Sequence, residues 1–180
     1  MRKILVTYAV AGERVAIDWP DCRIEYLQTG IGKVKSAFHL AEAINEYCPD
    51  IVLNIGTAGT VSHNLGDIFV CRRFVDRDMM PLRDLGLEYE IKSSDDSATC
   101  NTGDSFMTDT EGAVDGDVFD MESYAQAYVC REKSVPFISV KYVTDIIGRN
   151  SVKHWEDKLA DARAALTLFF KSADLFQPLP

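Results

Sequence analysis

Two acids flank a methionine in Asp120-Met121-Glu122, directly after the apolar pair Val118-Phe119, and a single aspartate, Asp145, closes the apolar run from Phe137 to Thr144. An ionised glutamate only accepts hydrogen bonds and can take two at once, which matches two adjacent sugar hydroxyls. A carboxyl at the mouth of a strand, in an apolar pocket, has its charged form disfavoured, which suits a proton donor to a leaving group. Cleavage of a sugar–base bond needs both acts. Glu13, just after the first apolar run, is a third acid near a strand end. Each acid also has a plainer reading. An acid that opens a helix can cap it or complement its macrodipole, Asp145 can form a turn or cap, and Glu13 can be an exposed helix residue. Two acids two residues apart point to different sides of a helix, however, so one of Asp120 and Glu122 is left for another task, and Met121 between them can lie flat against a sugar or base.

Two glycine motifs accompany the acids. Gly56-Thr57-Ala58-Gly59 stands where a buried run ends, the end of a strand at which open α/β sheets bind ligands. Small residues there admit a ligand close to the backbone, and the Thr57 hydroxyl can hold a ribose oxygen or a water; the alternative is a turn that needs glycine dihedrals. Gly30-Ile31-Gly32-Lys33 before a helix has the look of an anion cradle, but without the other residues of a nucleotide fingerprint it reads as a tight turn and helix start. His39, His63 and His154 are isolated in sequence and are assigned no chemistry. The five cysteines are widely spaced with no C-x-x-C pair, so neither a disulfide framework nor a metal site is expected, and no cofactor is implied.

The elements that must position these residues are legible from periodicity. The chain has 180 residues, 47% hydrophobic and 26% charged, as in ordinary globular proteins. Its net charge of -9 and lack of a basic cluster longer than Arg72-Arg73 argue against a nucleic-acid binder, and its N-terminal apolar run is too short for a membrane anchor or signal peptide, which points to the cytoplasm. Strands are expected at 4–8, 23–28, 51–55, 67–74 and 136–144. Helices are expected at 33–47, with Val34, Ala37, Phe38, Ala41 and Ile44 on its apolar face, at 121–133, and near the C-terminus, with Trp155, Leu159, Ala162, Leu166 and Phe169 on one face. The stretch 76–98, ending in Asp95-Asp96-Ser97, reads as loop. Alternating strands and amphipathic helices indicate one α/β domain over 1–180: three layers, with a central mixed sheet flanked by helices.

Taken together, Ala9-Val10-Ala11-Gly12-Glu13, the two glycine motifs with Asn54 ahead of the second, Gly66-Asp67, Gly103-Asp104-Ser105-Phe106, Asp120-Met121-Glu122 and Thr144-Asp145 occur in family order. The chain resembles the purine nucleoside phosphorylase/nucleosidase superfamily, and within it the methylthioadenosine/S-adenosylhomocysteine nucleosidase branch. The resemblance implies that Glu13 activates the attacking water and that Asp145 protonates the purine. It implies further that Glu122 binds the ribose diol above Met121, that Phe106 stacks on the base and Met107 contacts it, and that Thr57, Ala58, Gly59, Asp120, Lys141 and Thr144 complete the substrate site. Lys141 stands where these nucleosidases have an arginine, Thr57 where they have serine, and Asp120 where they have glutamate. The implied partner is a small purine nucleoside, and the implied assembly is a homo-oligomer, a dimer or higher.

Three other readings stay open at this point. The segment Ile146-Ile147-Gly148-Arg149-Asn150, with Trp155 after it, resembles futalosine hydrolases, although those carry asparagine where Asp145 stands; a carboxyl suits a 6-amino purine better than a 6-oxo one. A phosphorylase would need an arginine where Asn54 stands, to hold phosphate in a bidentate pair. A non-catalytic nucleoside-binding protein would have no use for all three acids.

Overall fold

Alternate side chains of the N-terminal strand β1 (Arg2–Tyr8) enter two different cores, Leu5 on one side and Ile4, Val6 and Tyr8 on the other. A strand buried on both faces needs neighbours on both edges, and β1 pairs in parallel with β2 (Cys22–Gln28) and β3 (Ile51–Thr60). The computed structural model describes residues 1–93, 97–110, 115–149, 152–172 and 175, without the side chains of 152–154. Asp95, Asp96, Asn150 and the side chain of His154 lie outside that description.

Among the described residues, eight strands form one mixed sheet. β3 continues in parallel to β8 (Phe137–Ile146), which runs antiparallel to β4 (Ile68–Asp76). β4 pairs in parallel with β6 (Ala98–Thr102), β6 with β7 (Val118–Asp120), and β7 touches β3 through Gly59 and Phe119. Five strands, β3, β8, β4, β6 and β7, therefore close into a ring, with β1 and β2 extending it on one side. On the far edge of β4 lies β5 (Glu90–Lys92). Helices α1 (Lys33–Tyr47) and α2 (Ser123–Glu132) supply Leu40, Ile44, Tyr124, Ala127 and Cys130 to one core, while α3 (Val152–Ser172) supplies Leu166 and Phe170 to the other. The sheet thus lies between helical layers, as the element pattern indicated.

Several boundaries differ from the sequence reading, each for a physical reason. β3 does not end before Gly56 but runs on to Thr60, because β8 offers a partner along its whole length. β8 likewise extends through Asp145 to Ile146. The helix expected at 121–133 begins at Ser123, since Asp120 still belongs to β7. The stretch read as loop contains a 3-10 turn at Met80–Leu85 and the edge strand β5, which the Arg73–Glu90 ion pair at 2.9 Å and the Asp76 N–H to Tyr89 carbonyl bond fasten to β4. In α1 the inward face is Ser36, Leu40 and Ile44, whereas Val34 and Phe38 are 79% and 59% exposed. The helix carries two apolar stripes, and only one is buried within this chain.

Candidate active site

Glu13 ends the 3-10 turn Ala11–Glu13 that follows β1, and it is 5% exposed. Its Oε1 accepts the Thr57 N–H at 2.9 Å and the Thr57 hydroxyl at 2.7 Å; its Oε2 accepts the N–H groups of Ala9 at 3.1 Å and Val10 at 3.3 Å. The buried carboxylate is thereby fixed between the turn after β1 and Thr57 of β3 by N–H and O–H donors. From the other side, the indole N–H of Trp155 on α3 donates to the Thr57 hydroxyl at 2.7 Å.

The two glycines of the 56–59 motif explain themselves by space, not dihedral angle, since neither has positive φ. A Cβ on Gly56 would lie 3.0 Å from Glu13 Oε1, and one on Gly59 would lie 2.8 Å from Asp145 Oδ2. The strand is bare where two carboxyls press against it. Asp145 reaches that place through a bulge: Ala58 faces Val143 but Gly59 faces Asp145, so Thr144 is an extra residue in β8. Bulges re-aim side chains next to functional sites. The Thr144 hydroxyl lies 2.8 Å from Asp145 Oδ1, and Asp145 is 4% exposed. Gly59→Ala should therefore displace the Asp145 carboxyl and slow any turnover in the space it faces by about 100-fold, the scale of an ångström-sized misplacement. Steady-state rates beside a thermal melt will check this, since a loss of activity no larger than the loss of folded protein would remove the assignment.

Asp120 and Glu122 divide the labour that their spacing suggested. Asp120 turns inward: it accepts the Thr102 hydroxyl at 2.6 Å, the Ser123 N–H at 2.9 Å and hydroxyl at 2.6 Å, and pairs with Lys141 at 2.9 Å. Burial disfavours its charge, but Lys141 and these hydroxyls outweigh it and hold the carboxyl down at about 2. Glu122 turns toward α1 and accepts the Gly32 N–H at 2.9 Å, while the next amide, Lys33 N–H, is taken by Asp104 at 2.7 Å. The amides at the start of α1 thus hold two carboxyl groups of this chain; Gly32, at φ 96°, makes the turn. Burial first, then the nearby Asp120, pushes Glu122 up to about 8.

These groups share one cavity of about 210 Å³. Glu13, Thr57, Ala58, Gly59, Asp120, Glu122 and Asp145 line it, together with Phe106, Met107 and Met121. Of the positions expected from the sequence, Lys141 and Thr144 are not among the lining residues; they contact Asp120 and Asp145, which are. Lys141 is 2% exposed, and the neighbouring carboxylates raise it above its ordinary value although burial works against its charge.

Sequence reasoning missed Arg77, which also lines the cavity. Its guanidinium donates to the carbonyls of Asn101, Asp120, Gly103 and Ser105, fixing the turn that presents Phe106. Its sequence signal, an arginine three residues past the strand expected at 67–74, falls in a stretch that reads as loop. Ile147 and Trp155 also line the cavity; the sequence places Trp155 on the apolar face of the last helix and gives neither residue a part in the chemistry. Asn54 faces away from it, bonded to Thr7, Ser123 and Ser139 in a buried polar network.

A family model described as the phosphorylase superfamily matches residues 9–96 and 98–173. Among curated proteins, a 5'-methylthioadenosine/S-adenosylhomocysteine nucleosidase of Anoxybacillus flavithermus is 32% identical over 171 residues, spanning 76% of this chain and 73% of the relative. The nucleosidase of the same description from Bacillus subtilis is 28% identical, over 76% and 74%. Among solved structures, the nucleosidase of Colwellia psychrerythraea in complex with adenine superposes with a TM-score of 0.80 at 22% identity, covering 94% of each chain. A futalosine hydrolase mutant of Helicobacter pylori does so with 0.82 at 17%, covering 96% and 98%. Similarity at these structural identities shows a common fold.

Proposed function

Because this chain belongs to the phosphorylase superfamily, we propose that it hydrolyses the N-glycosidic bond of a purine nucleoside, with adenine nucleosides such as methylthioadenosine or S-adenosylhomocysteine as substrates, and releases the free base. The observation that carries this reading is the convergence of Glu13, Glu122 and Asp145, from three distant segments, on one cavity with Phe106, Met107 and Met121 on its wall. Asp145 gives its proton to the five-membered ring of the purine as the sugar–base bond breaks and the bonding electrons leave with the base. Water adds to the oxocarbenium-like sugar carbon, as in other glycosyl transfers, and its proton goes to Glu13. Glu122 holds the ribose hydroxyls beside Met121.

Water is favoured over phosphate as nucleophile by the charge of the wall. Four carboxyl-bearing residues line the cavity, and among the described lining residues the one cation, Arg77, has its guanidinium occupied by backbone carbonyls. A phosphate dianion would enter with no bidentate partner. Adenine release from methylthioadenosine, followed with and without phosphate, tests the reading. Equal rates are expected; strict phosphate dependence would establish a phosphorylase, and no release from adenine or hypoxanthine nucleosides, futalosine-type ones included, would leave a binding protein.

Above about pH 8, where Glu122 is ionised, Glu122→Gln should weaken binding of a ribonucleoside about 10-fold or more, the worth of a hydrogen bond to a charged group, with little change for a 2',3'-dideoxy analogue. In the parent protein, ionised Glu122 accepts from both hydroxyls and the protonated form from one fewer. The ribo-to-dideoxy preference should therefore rise as pH passes upward through about 8 and stay flat in the Gln variant. Equal losses for both substrates would remove the diol assignment.

The exposed stripe of Val34 and Phe38 on α1, beside Ile31 at the cavity wall, is apolar surface that a second copy would bury, and we take the assembly to be a homo-oligomer. Sedimentation should give a mass of two chains or more. The five cysteines are free thiols, as suits a reducing compartment, and no described helix is long and apolar enough to cross a membrane. We place the protein in the cytoplasm.

A further inference from the structure

We infer that Trp155 is a positioning residue for the hydrolytic step: its indole N–H sets the direction of the Thr57 hydroxyl, which holds Glu13 Oε1 as an acceptor and leaves Oε2 to take the proton of the attacking water. The inference rests on the reading of Glu13 as the base. It begins from donor and acceptor arithmetic. An indole nitrogen can only donate, so in the 2.7 Å contact with Trp155 the Thr57 oxygen must be the acceptor. A hydroxyl has one hydrogen, and at 2.7 Å from Glu13 Oε1 that hydrogen points to the carboxylate. The Thr57 N–H, at 2.9 Å, fills the second lone pair of the same oxygen. Both oxygens thus accept two bonds, but those to Oε1 are short, whereas those to Oε2 are longer, 3.1 and 3.3 Å, from Ala9 and Val10. The less tightly held oxygen is the more basic one. Accepting from the indole also strengthens the Thr57 hydroxyl as a donor, since bonds in a chain polarise one another.

The same helix steadies the carboxylate by a second route. Leu159, one turn beyond Trp155, packs so closely on Gly12 that a Cβ there would lie 3.0 Å from its Cδ1, and Arg163 donates to the Gly12 carbonyl at 3.5 Å. α3 therefore grips both the turn that carries Glu13 and the hydroxyl that orients it. The other charges that Glu13 feels come from the sheet side, from Glu122 and from Lys141, whose Nζ lies 3.5 Å from where a Gly56 Cβ would be. Asp145 lines the same cavity. None of them contacts Thr57 in place of the indole among the described bonds. Phenylalanine at 155 would keep an aromatic wall, smaller by one ring, and lose the N–H.

The test is the pH profile of kcat/KM for adenine release by Trp155→Phe, Thr57→Val, the double variant and Glu13→Gln. Trp155→Phe should move the acidic limb to higher pH and lower kcat about 10-fold while free adenine binds as before. In the Thr57→Val background, where the relay is already cut, the same change should leave the limb where it is. An unmoved limb in Trp155→Phe, with KM alone altered, would show that Trp155 merely lines the cavity, as would equal and additive losses in both backgrounds. If Glu13→Gln instead keeps both activity and the acidic limb, the assignment of the base itself fails, an outcome distinct from failure of the relay. Circular dichroism on each variant separates unfolding from these outcomes.

Discussion

Asp145→Asn should slow release of adenine from its nucleosides by at least ~100-fold, the lower bound for loss of a general acid. The amide is nearly the same size, so the Gly59 notch that admits the carboxyl still admits it, and the bulge at Thr144 still aims it. What disappears is the proton. A nucleoside whose base leaves without protonation should be much less affected, and that contrast is the measurement: rates for an adenine nucleoside and for one with an activated leaving group, in both proteins. Equal sensitivity of the two substrates would mean that Asp145 binds the base without protonating it.

Glu13→Gln should cost more, about 1,000-fold in kcat/KM within the usual range for a positioned base. The loss has two sources. The amide has no basicity, and it is also misfitted to its seat. Whichever way it is turned, its NH2 meets donors: the N–H groups of Ala9 and Val10 at one site, or the N–H of Thr57 and a hydroxyl already receiving the Trp155 indole at the other. Stranding a buried donor costs about 1–3 kcal/mol, so the midpoint of thermal unfolding should fall as well. Calorimetric titration with free adenine isolates the catalytic part, because the base-binding end of the cavity is untouched. A variant that retains a tenth of parent activity would exclude Glu13 as the base.

The two predictions rest on residues of very different visibility in the sequence. Glu13, Glu122 and Asp145 were legible because acids at the ends of apolar runs are few, and the layered α/β fold was legible because strand and helix periods alternate along the chain. Phe106 and Met107 came only through family resemblance. The structural reason for the 56–59 glycines was hidden, since a glycine that makes room and a glycine that turns the chain look alike in one dimension. β3 was ended too early for the same cause. The outward stripe of α1 was misread because Val34 and Phe38 share the helical period of a buried face, and periodicity does not say which stripe meets the core. Lys141 is the buried counter-ion of Asp120, a pairing across 21 residues that nothing in the local sequence announces. Arg77 and the Trp155 link to Thr57 join segments far apart in the chain, and nothing local announces either.

The ring through β3 and β8 has a consequence for how the molecule acquires competence during folding. Glu13 is seated by an amide of β3, and Asp145 occupies a notch in that same strand from β8. No fragment ending before β8 can form the constellation, however well its own helices nucleate. Parallel pairings between distant strands close slowly, so turnover should return in step with the last kinetic phase of renaturation, after most of the circular dichroism signal has already recovered.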